Sequence, residues 1–484
     1  MRRIAGLSNR KPLKKPAAKV RKAPPKLKKA AKQKQRSAPQ LYANDLFGFI
    51  FPHIGAPSLK VWSRHFPAHM RADLQSPIDA LMANADYCVG AVPRYRSETL
   101  TMTTLMNRED RDRVAVGALS YIEVDIGDEE PVRCVMNAFI LRHAPLPHAI
   151  FVSAGNDPTE DRVIRVEIAV PSDHPDGREF ASQCLRPLSD AIAQSRSYRG
   201  KVLSLEKREH YDGSVGAIQV HRMKRIDPSE VILPAPTRKL LDRCVIDFMQ
   251  ARGQLRAMGF QTKRGILLYG PPGTGKTHTI RYLASNLPGT TTLLITAEQV
   301  GLLPAYMSLA RLLQPAMVVI EDVDLIARSR EQMRSACDET MLNALLNEMD
   351  GLKENSDILF ILTTNRPQDL EAALANRPGR IDQAIEVPVP DAPSREKLVR
   401  LYARGMKPGE TLVAEAVKRT EGVSAAFIKE LMRRTAQAAI TQASERGAAK
   451  KATEPNEADL SAALDEMLFS GGKLNVTLLG GAAN

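Results

Sequence analysis

With 484 residues, 43% of them apolar and 25% charged, the chain has room for about three domains, each with a core of its own. No apolar run approaches the roughly 18 residues a membrane-crossing helix needs. The five cysteines (Cys88, Cys134, Cys184, Cys244 and Cys337) are scattered, so neither a disulfide framework nor a zinc site is indicated, and a soluble, cytoplasmic protein without a membrane partner is expected. The net charge of +13 is a local property: 15 of the 68 Lys and Arg lie between Arg2 and Arg36 with no acid among them, leaving 53 basic against 55 acidic residues elsewhere.

Residues 1–40 are Lys, Ala and Pro with almost nothing to bury, which predicts a disordered basic tail. Such a tail suits non-specific contact with nucleic acid, and equally a merely solvated arm. From 41 to 234 a mixed pattern predicts an N-terminal α+β domain. Short β-like runs lie at 133–141, 149–154, 163–170, 202–205 and 217–221, with helical spacing over 76–85 and 179–195. No catalytic constellation stands out there. His143 and His148 flank a Pro-rich turn without a third ligand and read as surface histidines.

Asp227-Pro228 and Pro234-Ala235-Pro236 punctuate the exit into residues 235–390, where short apolar strands (265–269, 291–296, 317–320, 358–363, 384–387) alternate with helix signals, one of them over 340–349. That alternation predicts an α/β unit with a parallel sheet covered on both faces. From 391 to 470 the strands stop and helices are expected over 394–404, 411–420, 425–443 and 456–469, forming a small helical subdomain before a short tail at 471–484.

Three segments of the α/β unit carry chemistry. Gly270-Pro271-Pro272-Gly273-Thr274-Gly275-Lys276-Thr277, with His278 following, reads G-x-x-x-x-G-K-T between a strand and a helix. Glycines let the backbone wrap a phosphate chain, and the helix adds its positive dipole end to the same anion. Lys276 is suited to the β- and γ-phosphates and the Thr277 hydroxyl to Mg²⁺, so ATP with Mg²⁺ is the expected ligand. Met317–Ile320 delivers Glu321 and Asp322 at a strand tip, as a Walker B element does, with one acid for the metal shell and one to orient an attacking water. If strand alternation continues through both, they point to opposite faces. Ile361–Thr364 leads to Asn365, whose amide suits a position between γ-phosphate and water.

Gly270–Thr277, Glu321-Asp322-Val323-Asp324, Thr364-Asn365-Arg366-Pro367 and Asn376-Arg377-Pro378-Gly379-Arg380-Ile381-Asp382 occur in that order, and together they resemble the AAA ATPase module. The branch is that of proteasomal regulatory ATPases and membrane AAA proteases, and the likeness covers about 233–470. There is no H-E-x-x-H for a protease zinc. The resemblance implies a P-loop α/β core with a helical lid, ATP hydrolysis, and a ring of usually six subunits acting on a macromolecular client, by preference a protein. It also implies that Asn365 is sensor 1 and that Arg377 and Arg380 are arginine fingers reaching the neighbouring subunit's γ-phosphate. Gly422-Val423-Ser424-Ala425-Ala426 is similar to the start of the family's lid helix, without a sensor-2 arginine. Three departures stand out: Glu321-Asp322 where the family mostly has Asp-Glu, Gln383 in place of an Arg, and no aromatic–hydrophobic–Gly pore loop between Ala297 and Arg311. Tyr306 is expected already on a helix. The exchanged acids also allow an assembly protein with slow turnover.

Overall fold

The computed structural model describes residues 40–52, 58–95, 98–109, 111–155, 163–207, 215–325, 345, 347–349, 351, 356–368, 380–445 and 454–470. The basic tail, most of the helix expected at 340–349, Arg377 and the C-terminal tail lie outside the described residues.

The first body is built on helix α1 (Ala43–Ile50) and strand β1 (Leu59–Pro67), then α2 (Arg71–Ala83), β2 (Tyr87–Val92), α3 (Met102–Met106) and β3 (Ala115–Gly117). The hairpin β4 (Ser120–Val124) and β5 (Val132–Met136) follows, and then β6 (Ala138–Arg142), β7 (His148–Gly155), β8 (Val163–Pro171) and α4 (Gly177–Gln194). Six of these strands form an antiparallel sheet in the order β1-β8-β7-β6-β2-β3. Each face carries its own apolar layer. Ile140, Ile150, Val152 and Ile168 pack with Leu74 of α2 and Leu185 of α4, while Phe139, Phe151 and Ala169 pack with Phe47 of α1 and Met102 of α3. The single strand expected at 133–141 is two, because Asn137 takes φ +47°, in the left-handed region, and the chain breaks there between two different sheets. His148 is not a surface residue as the Pro-rich turn suggested. It is buried, its Nδ1 2.8 Å from the Leu146 carbonyl and its ring 4.5 Å from that of Phe180.

The next strands, β9 (Val202–Lys207) and β10 (Val215–Val220), do not join that sheet. They extend the second sheet, whose other strands are β11 (Arg264–Tyr269), β12 (Thr291–Ile295), β13 (Ala316–Ile320), β14 (Ile358–Thr364) and β15 (Gln383–Glu386), in the order β10-β9-β12-β13-β14-β11-β15. All pairings from β9 to β15 are parallel, and β10 returns antiparallel as the edge. The sheet thus crosses the boundary expected at 234, since pairing between distant strands carries no local sequence mark. One face packs Met317, Val319, Leu359 and Ile361 against α5 (Ala235–Leu241), α6 (Phe248–Ala257) and α7 (Lys276–Asn286). The other packs Val318, Ile320, Phe360 and Leu362 against α8 (Leu303–Leu312). Helices α9 (Ala392–Ala403), α10 (Glu410–Arg419), α11 (Ala425–Glu445) and α12 (Glu457–Asp465) enclose a separate core of Leu398, Val413, Phe427, Leu431 and Leu460.

Several polar ties join the first body to the second sheet. The Ser197 amide donates to Asp73 of α2 at 2.9 Å. The Arg199 guanidinium donates to the carbonyls of Ala193 and Gln194 at the end of α4 and of Leu312 and Gln314 at the end of α8. A cation at two helix C-termini satisfies carbonyls that the helices themselves leave without donors.

Tyr306 sits on α8, as expected, and is fully buried. Its hydroxyl accepts the Leu205 amide at 2.7 Å and donates to Gln299 at 3.2 Å, so it fastens β9 to the sheet. Among the described residues no loop separates β12 from α8: a 3₁₀ turn over Ala297–Leu302 runs straight into the helix. Tyr306→Phe leaves the Leu205 amide short of a buried acceptor and is expected to cost about 1–3 kcal/mol of stability, read as a lower denaturant midpoint. An unchanged midpoint, with client processing lost, would make Tyr306 a substrate-gripping aromatic after all. No described helix is long and apolar enough to cross a membrane.

Candidate nucleotide-binding site

The loop after β11 owes its shape to three glycines with positive φ: Gly270 at +149°, Gly273 at +75° and Gly275 at +106°. At Gly270 a Cβ would stand 2.2 Å from the Val387 carbonyl oxygen, so no larger residue fits. At Gly273 it would meet Ser424 Oγ and Ala426 Cβ at 3.0 Å. The Ala426 amide donates to the Gly273 carbonyl at 3.0 Å, and Ser424 caps α11 by accepting from Phe427. The lid helix therefore starts directly on the phosphate loop, and the sequence similarity at 422–426 marks that contact.

Lys276 opens α7 and is buried. Its ammonium donates to the carbonyls of Gly270 at 2.7 Å and Pro271 at 3.0 Å. Burial pushes its pKa down, and the carboxylates of Asp322 and Asp324 pull it back up. Pro272 and Thr277 are exposed at the loop's mouth, where Thr277 can offer its hydroxyl to a metal, and Thr274 closes the loop through Pro271 at 2.9 Å. His278 is exposed and turned toward the Glu230 carbonyl at 3.2 Å, on the helix and not in the cradle.

The two acids diverge more than strand alternation predicts. The Glu321 amide still bonds to the Ile295 carbonyl at 3.0 Å, so Glu321 continues β13 on the face that Met317 and Val319 share with α7. Its Oε1 is buried without a hydrogen-bond partner among the described residues, an orphaned acceptor that suits a metal shell or its water. Asp322 has left the strand. It takes φ +52°, held by its amide donating to Thr363 Oγ1 at 2.9 Å, so the expectation that both acids sit on the strand is corrected. A non-glycine residue in that region costs of order 1–3 kcal/mol, strain typical of functional sites.

Asn365 donates through Nδ2 to Asp322 Oδ1 at 3.2 Å. Asp324, part of the motif at 321–324 but without a role assigned to it from sequence, is buried and accepts from Thr364 Oγ1 at 2.9 Å and from the Asn365 amide at 3.2 Å. It ties the ends of β13 and β14 together, and its place two residues after Asp322 was the available signal. No cluster of three or more metal-ligating side chains occurs among the described residues.

Arg380 lies elsewhere. Its carbonyl covers Gly265 at the start of β11, closer than a Cβ there would allow. The phosphate loop is five residues further along the strand, about 16 Å of extended chain.

A parallel sheet covered on both faces, a glycine loop opening a helix, acids at the tip of β13 and a helical lid on the loop define a P-loop nucleotide-binding protein. Residues 266–389 match the family model of the "ATPase family associated with various cellular activities (AAA)", so the chain carries an AAA ATPase domain. It is 30% identical over 283 residues to the proteasome-activating nucleotidase of Methanocaldococcus jannaschii, covering 55% of this chain and 61% of that one. With the 26S proteasome regulatory subunit S10B homolog B of Arabidopsis thaliana it shares 31% over 230 residues, 44% of this chain and 57% of the relative. The ATP-dependent zinc metalloprotease FtsH of Mycoplasmopsis synoviae is 37% identical over 200 residues, 39% and 30% respectively. The chain thus covers less than two thirds of each of these relatives.

Proposed function

We propose that the chain hydrolyses ATP as its Mg²⁺ complex, works as a homo-oligomeric ring, and uses the cycle to remodel a protein client. The observation that carries this reading is the Asn365–Asp322–Thr363 contact facing a phosphate loop with Lys276 inside it. In it Asp322 orients the attacking water, Asn365 holds the Asp322 carboxylate, and Lys276 turns from its two carbonyls to the phosphates. Glu321 and Thr277 would hold the metal, which when bound would supply charge neutralisation to the phosphates. Arg380, remote from its own phosphate loop, acts on the nucleotide of a neighbouring subunit.

The likeness to a proteasome-activating nucleotidase and to FtsH supports a protein client. Tyr306, the sole aromatic from the end of β12 through α8, is buried, so grip on that client comes from outside this segment.

Asp322→Asn should trap ATP on an assembled ring with turnover lost, whereas Glu321→Gln should weaken Mg²⁺-dependent binding as well. Phosphate release and ATP binding, measured side by side, distinguish the two. Intact turnover in Asp322→Asn, with Glu321→Gln inactive but ATP-bound, would exchange the two roles. Asp322 is one methylene shorter than a glutamate, about 1.3 Å less reach, so slow turnover is expected and Asp322→Glu is the variant that can raise it.

A further inference from the structure

The six-stranded sheet has two very different edges. At β3 the edge is three residues long and closed by the chain itself: Tyr42 bridges Ala115, the Val116 amide donates to Leu41 at 3.0 Å, and the Ala43 amide donates to Val114 at 2.9 Å. At the other end β1 runs for nine residues and pairs only with β8. Among the described residues nothing pairs with its outer side. A long open edge presents a row of backbone donors and acceptors ready for another strand.

The side chains along β1 narrow down what that strand would be. Lys60, Trp62, Arg64 and Phe66 share one face, where Trp62 and Phe66 pack on the apolar layer beneath α2 and α4. Lys60 and Arg64 are exposed, about 13 Å apart, one on each side of Trp62. Arg64 donates to Ser189 at 2.6 Å, and neither cation has a carboxylate partner among the described residues. A second copy of the chain does not supply one. Antiparallel self-pairing about Ser63 would put Lys60 opposite Phe66 and Arg64 opposite Trp62, and in-register parallel pairing would set like charges together.

We propose that β1 is a docking edge for an extended acidic peptide segment, which adds as a seventh strand with carboxylates four residues apart opposite Lys60 and Arg64 and an apolar residue between them opposite Trp62. Backbone hydrogen bonds hold the segment, and the acid–x–apolar–x–acid spacing selects it. The inference rests on the client reading above: it gives the ring a grip outside the α/β unit and names the chemistry of what is gripped.

Trp62 is the only tryptophan in the chain, so its fluorescence reports directly on this edge. Full-length protein without nucleotide is titrated with the synthetic peptide Ser-Glu-Thr-Val-Thr-Glu-Ser, and a saturable shift of Trp62 emission is expected. The double variant Lys60→Glu, Arg64→Glu should weaken binding at least tenfold. The same peptide with Lys in place of Glu should bind that variant and not the parent. A version N-methylated at alternate amides, which cannot donate along the edge, should not bind either protein. Equal binding of the N-methylated peptide would show mere charge attraction and overturn strand addition. A Trp62 shift that follows protein concentration without peptide would place a second copy on the edge, and no shift at all would also sink the proposal. ATP turnover is read in parallel samples of the same proteins supplied with ATP: turnover without peptide binding overturns the edge alone, and peptide binding without turnover overturns the ATPase reading alone.

Discussion

Lys276→Ala should lose ATP affinity by about 10³-fold, taking two charge-assisted contacts to phosphate at about 2 kcal/mol each. The ammonium already holds the Gly270 and Pro271 carbonyls inside the loop, so the substitution also leaves those two acceptors without their donor. The fold should nevertheless persist, because the sheet on which the loop rides is held by β13, β14 and β15 and by the apolar layers on both faces. Calorimetric titration with ATP, alongside a denaturation curve, separates the two effects. Unchanged ATP affinity in a folded variant would remove the phosphate-binding assignment, and with it everything argued from Asp322 and Glu321.

Arg380→Ala should bind ATP like the parent and hydrolyse it about 10³–10⁵-fold more slowly, the range an arginine finger contributes in phosphoryl transfer. The geometry behind this is a separation. Arg380 stands at the start of β11, while Gly270 stands at its end. With its backbone there, Arg380 is proposed to serve a γ-phosphate that another subunit brings. Mixing Arg380→Ala with Lys276→Ala should therefore restore part of the turnover, since each variant supplies the half-site that the other lacks. Full-rate hydrolysis by Arg380→Ala that sediments as a monomer would overturn the ring. The same comparison applies to Arg377, three residues earlier.

The phosphate loop, its flanking strand and helix, and the lid helices were legible in the sequence because each is a local solution. Glycines at 270, 273 and 275 are demanded by positive φ, and Gly270 also by the Val387 carbonyl. The runs at 293–295, 316–320 and 358–362 are continuously apolar because both faces of the central sheet are covered. Even the exchanged order of Glu321 and Asp322 was visible as a departure.

What only the tertiary structure decided is where distant segments meet. Nothing in Val202–Lys207 announces that it pairs with Thr292 and Leu293, because parallel partners are set by packing and not by a turn between them. The β1 strand escaped reading for the opposite reason: an edge exposed over most of its length has no need of the apolar alternation by which strands are recognised. Asp322 left the strand because the Thr363 hydroxyl, 41 residues away, receives its amide. Tyr306 and Asp324 were single letters in the chain. Burial turned one into the fastening of β9 and the other into the tie between two strand ends, since a buried polar group is stable only with partners that the fold alone can bring to it.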